Sequence, residues 1–121
     1  MNHLDPCPRY DRAINILGKK WNCLIIRSML SAPRRFSDIS NYVEGLSDRL
    51  LSQRLQELEE SGIVERRVYD SKPVLVEYAL TEKGAAFRQV VEAIQRWADQ
   101  WEAHPLEEAM TLKYQELPAR G

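Results

Sequence analysis

Arg49, Leu50 and Gln53 lie close together after Ser47 and, at about 100° per residue of helix, fall on the side opposite Leu51, Leu55 and Leu58. Their types suit one chemistry. In the major groove of DNA an arginine can pair with guanine, a glutamine with adenine, and an aliphatic side chain can touch the thymine methyl. Gln56, Glu57 and Glu60 share the outer side, but the acids gather in the second half of the segment, where carboxylates repel phosphates. The reading end is therefore the N-terminal half, which is also how helix-turn-helix proteins dock. Arg54 sits on the flank and suits a phosphate. Taken alone, an exposed helix face with Arg and Gln is more often plain solvated surface, so its surroundings decide.

Cations flank the segment on both sides. Arg34 and Arg35 precede the helix before it, and Arg66, Arg67 and Lys72 follow on what alternation predicts to be a hairpin. Successive strand residues point to opposite faces, so one of Arg66 and Arg67 meets DNA, and Lys72 at the tip is the stronger wing contact. With Ser37 and Ser47 at two helix starts, the candidate DNA contacts are Arg34, Arg35, Ser37, Ser47, Arg49, Leu50, Gln53, Arg54, Arg67 and Lys72. The charge distribution agrees. The net charge of the 121-residue chain is -1, yet residues 19–72 carry 10 Lys and Arg against 8 Asp and Glu, while residues 73–121 carry 5 against 8. Phosphate binding depends on where the cations sit, so the middle of the chain is the candidate DNA face.

Two further residue types invite chemistry. Cys7 lies between Pro6 and Pro8 at the start of a helical run with Arg9 and Arg12 nearby, and a helix N-terminus and cations both favour the thiolate. It is a candidate sensor of oxidants or electrophiles; the alternative is an inert thiol in a mobile arm. Cys23, in the most apolar segment, reads as a small core residue. No nucleophile, base and orienting group can be assembled around His3 or His104, and no Cys/His spacing suggests zinc, so neither catalysis, a metal nor a cofactor is expected.

The elements that must hold these residues follow from periodicity and punctuation. Tyr10, Ile14 and Leu17 recur at helical spacing from Pro8 until Gly18, a first helix. Lys20 to Leu30 is apolar around most of its circumference, which predicts a buried central helix ended by Pro33. Ser37 is expected to cap a short helix through Val43, Gly45 to make the turn, and Ser47 to cap the reading helix that Gly62 closes. Ile63 to Tyr69 and Val74 to Leu80 alternate as paired strands around Asp70-Ser71-Lys72-Pro73. A last helix is expected from the Thr81 cap to about Trp101, with Gly84 its weak spot and the tail after Pro105 unassigned. No repeat or linker interrupts the run, so residues 1–121 are expected to form a single domain, with a reading core of about 34–80.

That last helix bears Phe87, Val90, Val91, Ile94, Trp97 and Trp101, a stripe longer than so small a domain needs for its own core. A partner subunit is its natural cover; folding back on the chain's own core is the alternative. A two-fold dimer implies a pseudo-palindromic operator with half-sites one helical turn apart or a multiple of it. No stretch approaches the roughly 20 apolar residues of a membrane helix, and the N-terminus lacks a signal-peptide order, so a cytoplasmic location is expected.

Over about Cys7 to Trp101 the chain resembles the HxlR-type winged helix-turn-helix transcriptional regulators, relatives of the MarR group. The matching residues include Cys7-Pro8, Gly18-Lys19-Lys20-Trp21, Arg34-Arg35-Phe36-Ser37-Asp38-Ile39, Leu46-Ser47-Asp48-Arg49-Leu50-Leu51-Ser52-Gln53-Arg54-Leu55 and Val76-Glu77-Tyr78-Ala79-Leu80-Thr81-Glu82-Lys83-Gly84. The resemblance implies a mostly α fold with a small β-hairpin, dimerisation helices at both ends (about 8–18 and 81–102), and the Ser47 helix in the major groove. Several family members use the cysteine at the Cys7 position to sense electrophiles, quinones or oxidants. After the hairpin proline the family often has a second proline and then a basic residue; Val74 and Leu75 stand there in this chain, so a weaker wing grip is expected. The expectation is a dimeric, sequence-specific regulator of double-stranded DNA that responds to a thiol-reactive or small-molecule signal through Cys7 or the dimer interface. The alternatives are a constitutive regulator without sensing and a winged-helix protein-interaction module.

Overall fold

The computed structural model describes residues 5–102 and follows the order α1 (Pro8–Leu17), α2 (Asn22–Ser28), α3 (Phe36–Tyr42), α4 (Asp48–Glu60), β1 (Val64–Tyr69), β2 (Leu75–Leu80), α5 (Glu82–Ala85) and α6 (Arg88–Trp101). His3, His104 and the tail after Pro105 lie outside the described residues. The backbone divides into two compact units, one up to Arg88 and one from Gln89 onward, with the division inside α6.

The first unit is a winged helix-turn-helix. Its core is aliphatic: Ile25, Ile26, Ile39, Val43, Leu51, Leu55, Leu58 and Ile63 are almost wholly buried, drawn mainly from α2, α3 and α4. The three leucines of α4 are those its helical spacing singled out, and burying each is worth roughly 1.5 to 3 kcal/mol. Ser47 caps α4, its Oγ accepting from Leu50 N–H at 3.2 Å. Gly45 (φ 84°) and Gly62 (φ 75°) take the left-handed backbone that their turns require.

β1 and β2 pair antiparallel, Arg66 opposite Tyr78, Arg67 opposite Glu77 and Val68 opposite Val76. A third chain segment joins them where no strand was expected. Arg34 bridges to Tyr78 through two backbone hydrogen bonds of 2.8 and 2.7 Å, which ties the start of the helix-turn-helix to the wing.

Several local expectations are corrected. The helix α2 begins at Asn22 instead of Lys20, because Trp21 adopts φ 84°, a left-handed conformation costly for a bulky residue. Its Leu24 is 41% exposed, so α2 is open on one side and not buried all round. Ser37 does not cap α3. The N-cap position is Arg35, whose backbone N–H is accepted by the Asp38 carboxylate at 3.1 Å, so the acid serves as a backbone partner in addition to its dipole effect.

The expected last helix is two helices, α5 and α6, with a turn at Ala86-Phe87 where Phe87 N–H bonds the Gly84 carbonyl at 3.0 Å. Gly84 is more than a weak spot: it is buried, and a Cβ there would lie 2.1 Å from the Ile63 carbonyl oxygen. The segment Thr81 to Gly84 clamps the end of α4. Thr81 N–H donates to the Ile63 carbonyl (3.0 Å), Thr81 Oγ1 to the Gly62 carbonyl (2.5 Å), and Lys83 Nζ to the carbonyl of the C-cap Ser61 (2.7 Å), which ties down the chain as it leaves the helix.

In the second unit α6 is strongly amphipathic. Val91 is buried and Val90 half-buried, while Ile94 (51%), Trp97 (58%) and Trp101 (66%) are exposed. Phe87, in the first unit, is half-buried. No helix among the described residues is long and apolar enough to cross a membrane.

Candidate nucleic-acid interface

The helix α4 is held from both ends with its polar side outward. At its start, Ser40 of α3 donates to the Asp48 carboxylate at 2.8 Å, fixing the two helices of the motif; at its end stands the Thr81–Lys83 clamp. Leucine burial orients what lies between. Arg49 and Gln53 are exposed, and Arg49 makes no hydrogen bond or ion pair with the described residues, so its five donors are available. Leu50 is half-buried and offers only part of its side chain.

The middle of α4 carries an arrangement that sequence reading missed. Glu57, noted only as a repulsive acid, accepts from three side chains. Lys19 Nζ, from the turn between α1 and α2, lies 2.8 Å from its Oε2; Arg54 lies 3.2 Å from Oε2 and 3.3 Å from Oε1; Gln53 Nε2 lies 3.3 Å from Oε1. The Lys19 ammonium first, and then Gln53 and both nearby cations, hold the Glu57 carboxyl below its ordinary range. The spacing of Gln53 and Arg54 from Glu57 is a helix-surface pairing readable in sequence. Lys19 is remote in the chain and leaves no such signal.

Arg54 is accordingly turned along the helix toward Glu57, its side chain only 14% exposed. Arg34 is also drawn inward. Its Nε donates to the Ser28 carbonyl and its guanidinium to Ser31 Oγ, both at 3.0 Å, and it borders with Arg27, Tyr42 and Arg88 a cleft of about 530 Å³. Arg35 and Ser37 beside it are exposed.

On the wing, Arg67 pairs with Glu65 (2.7 Å from Nε) and faces Glu77 across the ladder; the Glu65 carboxylate keeps its guanidinium firmly charged. Arg66, on the other face, is exposed, as is Lys72 at the tip. Val68 (56% exposed) and Val74 (61%) give this wing an apolar edge. Of the ten residues expected to face DNA, Arg35, Ser37, Ser47, Arg49, Gln53 and Lys72 are exposed, whereas Arg34, Arg54 and Arg67 are engaged with partners inside the chain.

Cys7 occupies the N-cap of α1, half-buried and reduced. Backbone N–H groups of Tyr10 and then Arg9 stabilise its thiolate, which lowers its pKa. Burial raises that of Cys23, which donates to the Leu17 carbonyl at 3.5 Å. Among the described residues no group of His, Cys, Asp and Glu is placed to hold a metal ion.

With the geometry assembled, comparisons with known proteins point the same way. Residues 16–105 match the family model described as HxlR-like helix-turn-helix. From Bacillus subtilis, the HTH-type transcriptional regulator YvaP is 44% identical over 101 residues, covering 84% of this chain and 94% of its own, and the regulator YodB is 45% identical over 95 residues, covering 78% and 85%. The reduced form of YodB superposes with a TM-score of 0.73 at 44% identity, covering 81% of this chain and 96% of that chain; YodB has also been solved bound to quinone. The redox regulator HypR in its oxidised form gives 0.75 at 31% identity, covering 81% and 100%.

Proposed function

The chain belongs to the HxlR-like helix-turn-helix family of transcriptional regulators, and from that premise we propose that it binds a pseudo-palindromic operator as a homodimer and releases or engages it when Cys7 meets an oxidant or a quinone-like electrophile. The observation that carries the DNA part is α4. Its apolar side is locked by Leu51, Leu55 and Leu58, and Arg49 and Gln53 stand exposed on its N-terminal half, Gln53 with one amide N–H bonded to Glu57, as a reading helix requires. Phosphate contacts fall to Arg35, Lys72 and the serines Ser37 and Ser47; Arg34, Arg54 and Arg67 contribute by positioning the surface. Residues 34–80 form the reading core of what works as one domain. The exposed Ile94, Trp97 and Trp101 of α6, with Val90 and the buried Val91 on the same helix, Phe87 in the turn before it and helix α1 at the other end, are the residues assigned to the dimer contacts.

The sensing part rests on Cys7 at a helix start with a depressed pKa, in a chain whose relatives include proteins solved in quinone-bound and oxidised states. A cytoplasmic, cofactor-free regulator with no catalytic site fits this residue inventory. The test is a gel shift on a sequence selected from a random DNA pool. Arg49→Ala should weaken the selected site by about 1 to 3 kcal/mol and random DNA far less. Adding an oxidant or a quinone should change the affinity of the wild type but not of Cys7→Ser. Equal losses on both DNAs would make Arg49 a phosphate contact, and equal responses of both proteins would remove Cys7 as the sensor.

A further inference from the structure

We infer that Glu57 is a specificity-determining positioning residue: by occupying one amide N–H of Gln53, it restricts that glutamine to adenine and turns it against guanine. The inference deepens the proposed reading role of α4 and rests on it.

A glutamine amide has two N–H donors and one carbonyl acceptor. Against adenine it uses one of each, the carbonyl accepting from N6–H2 and one N–H donating to N7. Guanine shows two acceptors, N7 and O6, on the same edge, so a glutamine satisfies it only with both N–H groups. Here one of them is already committed to Glu57 Oε1 at 3.3 Å. What remains free is one donor and one acceptor, the adenine pattern.

An exposed pair four residues apart on a helix is ordinarily worth only a few tenths of a kcal/mol, and a DNA base could displace it. Glu57 differs because its carboxylate is anchored from outside the pair. Lys19 reaches Oε2 at 2.8 Å from the turn between α1 and α2, and Arg54 bridges both oxygens at 3.2 and 3.3 Å. Each oxygen thus accepts twice, about the full lone-pair capacity of a carboxylate. The group has little freedom to swing away from Gln53. The two cations also offset its charge, so a phosphate backbone approaching α4 meets a cluster that is net positive.

The experiment uses the full chain, a sequence selected from a random DNA pool, and duplexes carrying A·T or G·C at each position, with dissociation constants read by fluorescence anisotropy. Gln53→Ala identifies its base as the position where preference is lost. There the wild type should favour A·T over G·C by roughly 5- to 150-fold, the range for one bidentate pair. Glu57→Ala should bring that ratio to within about 2-fold of unity while other positions keep theirs. Glu57→Gln keeps one carbonyl oxygen that Gln53 Nε2 can reach while losing the charge and the second acceptor that Lys19 uses, so it should recover at least part of the ratio, which a purely charge-based role would not do. If Glu57→Ala leaves the ratio intact, or lowers affinity for both duplexes alike, the inference is overturned and the reading role of Gln53 stands. If Gln53→Ala changes no position, Gln53 reads no base and both fall together.

Discussion

Replacing Gly84 with alanine sets two physical effects against each other. Gly84 lies inside α5, and a glycine in a helix costs up to about 1 kcal/mol relative to alanine, so propensity alone predicts that Gly84→Ala stabilises. The packing predicts the reverse. A Cβ at this position would sit 2.1 Å from the Ile63 carbonyl oxygen and 3.0 Å from its carbon, with backbone on the receiving side. An ordinary carbon–oxygen contact needs more than 3 Å, so α5 must retreat by about 1 Å. Such overpacking costs typically 1 to 3 kcal/mol. The retreat also stretches the 3.0 Å bond from Thr81 N–H to the Ile63 carbonyl and loosens the Thr81 and Lys83 caps on α4, each bond worth about 1 kcal/mol. Subtracting the propensity gain leaves a net destabilisation of about 2 to 3 kcal/mol, or roughly 8 to 12 °C in Tm for a domain of this size. Urea unfolding followed by far-UV circular dichroism measures it as a lower midpoint at unchanged slope. A midpoint that holds or rises would refute the argument and show that the close approach relaxes at no cost.

Three shorter predictions follow from other parts of the molecule. Cys7, its pKa lowered by the N–H groups of Tyr10 and Arg9, should remain alkylable by iodoacetamide at more acidic pH than Cys23, whose pKa burial raises; mass spectrometry across pH would reverse that order if the cap does not stabilise the thiolate. Glu57 is more acidic folded than its ordinary 4.5, so its contribution to stability is fully present above that pH and disappears as pH falls through the lower folded value; Glu57→Gln should flatten this acid limb of the Tm profile, and an unchanged limb counts against the Lys19 pair. Trp97→Glu should shift the chain toward monomer in sedimentation velocity, since Trp97 is 58% exposed on the α6 stripe; an unchanged sedimentation coefficient removes α6 from the interface.

What could be read from sequence was what neighbours in the chain decide. Helix α4 was legible because its leucine stripe, serine cap and closing glycine are all local, and the hairpin because alternation and turn residues are local too. Tertiary decisions were not legible. Trp21 enters the left-handed region although nothing in its own type favours it; its ring packs beside Gly45, where an added Cβ would come within 3.5 Å of Cη2, and Lys20 lies over its indole at 4.8 Å. Arg34 looked like a phosphate contact beside Arg35. A one-residue bridge to Tyr78 turns its backbone into the sheet and leaves its side chain over the end of α2, where it satisfies the Ser28 carbonyl. Arg67 is a different case: its partner Glu65 stands two residues back on the same strand face, a local pair that strand alternation could have shown.

These inward arginines explain how a chain of net charge -1 presents a surface for a polyanion. Counting cations along the sequence treats each as available, but an arginine bonded to carbonyls or carboxylates has already spent part of its donor capacity. Arg34, Arg54 and Arg67 build the surface, while Arg35, Arg49 and Lys72 remain exposed upon it. The acids are sorted by the same rule. Glu57 and Glu65, which would repel a backbone if bare, each sit against an arginine, and Asp38 and Asp48 are occupied by a backbone N–H and by Ser40. The two arginine pairs thus offset the charges of Glu57 and Glu65, whereas Asp38 and Asp48, bonded to neutral donors, and Glu59 and Glu60 on α4 keep theirs. The long-range field of the chain stays near neutral, so affinity must come from short-range contacts in the groove more than from diffuse attraction, and sequence preference rather than bulk charge decides where such a protein rests on DNA.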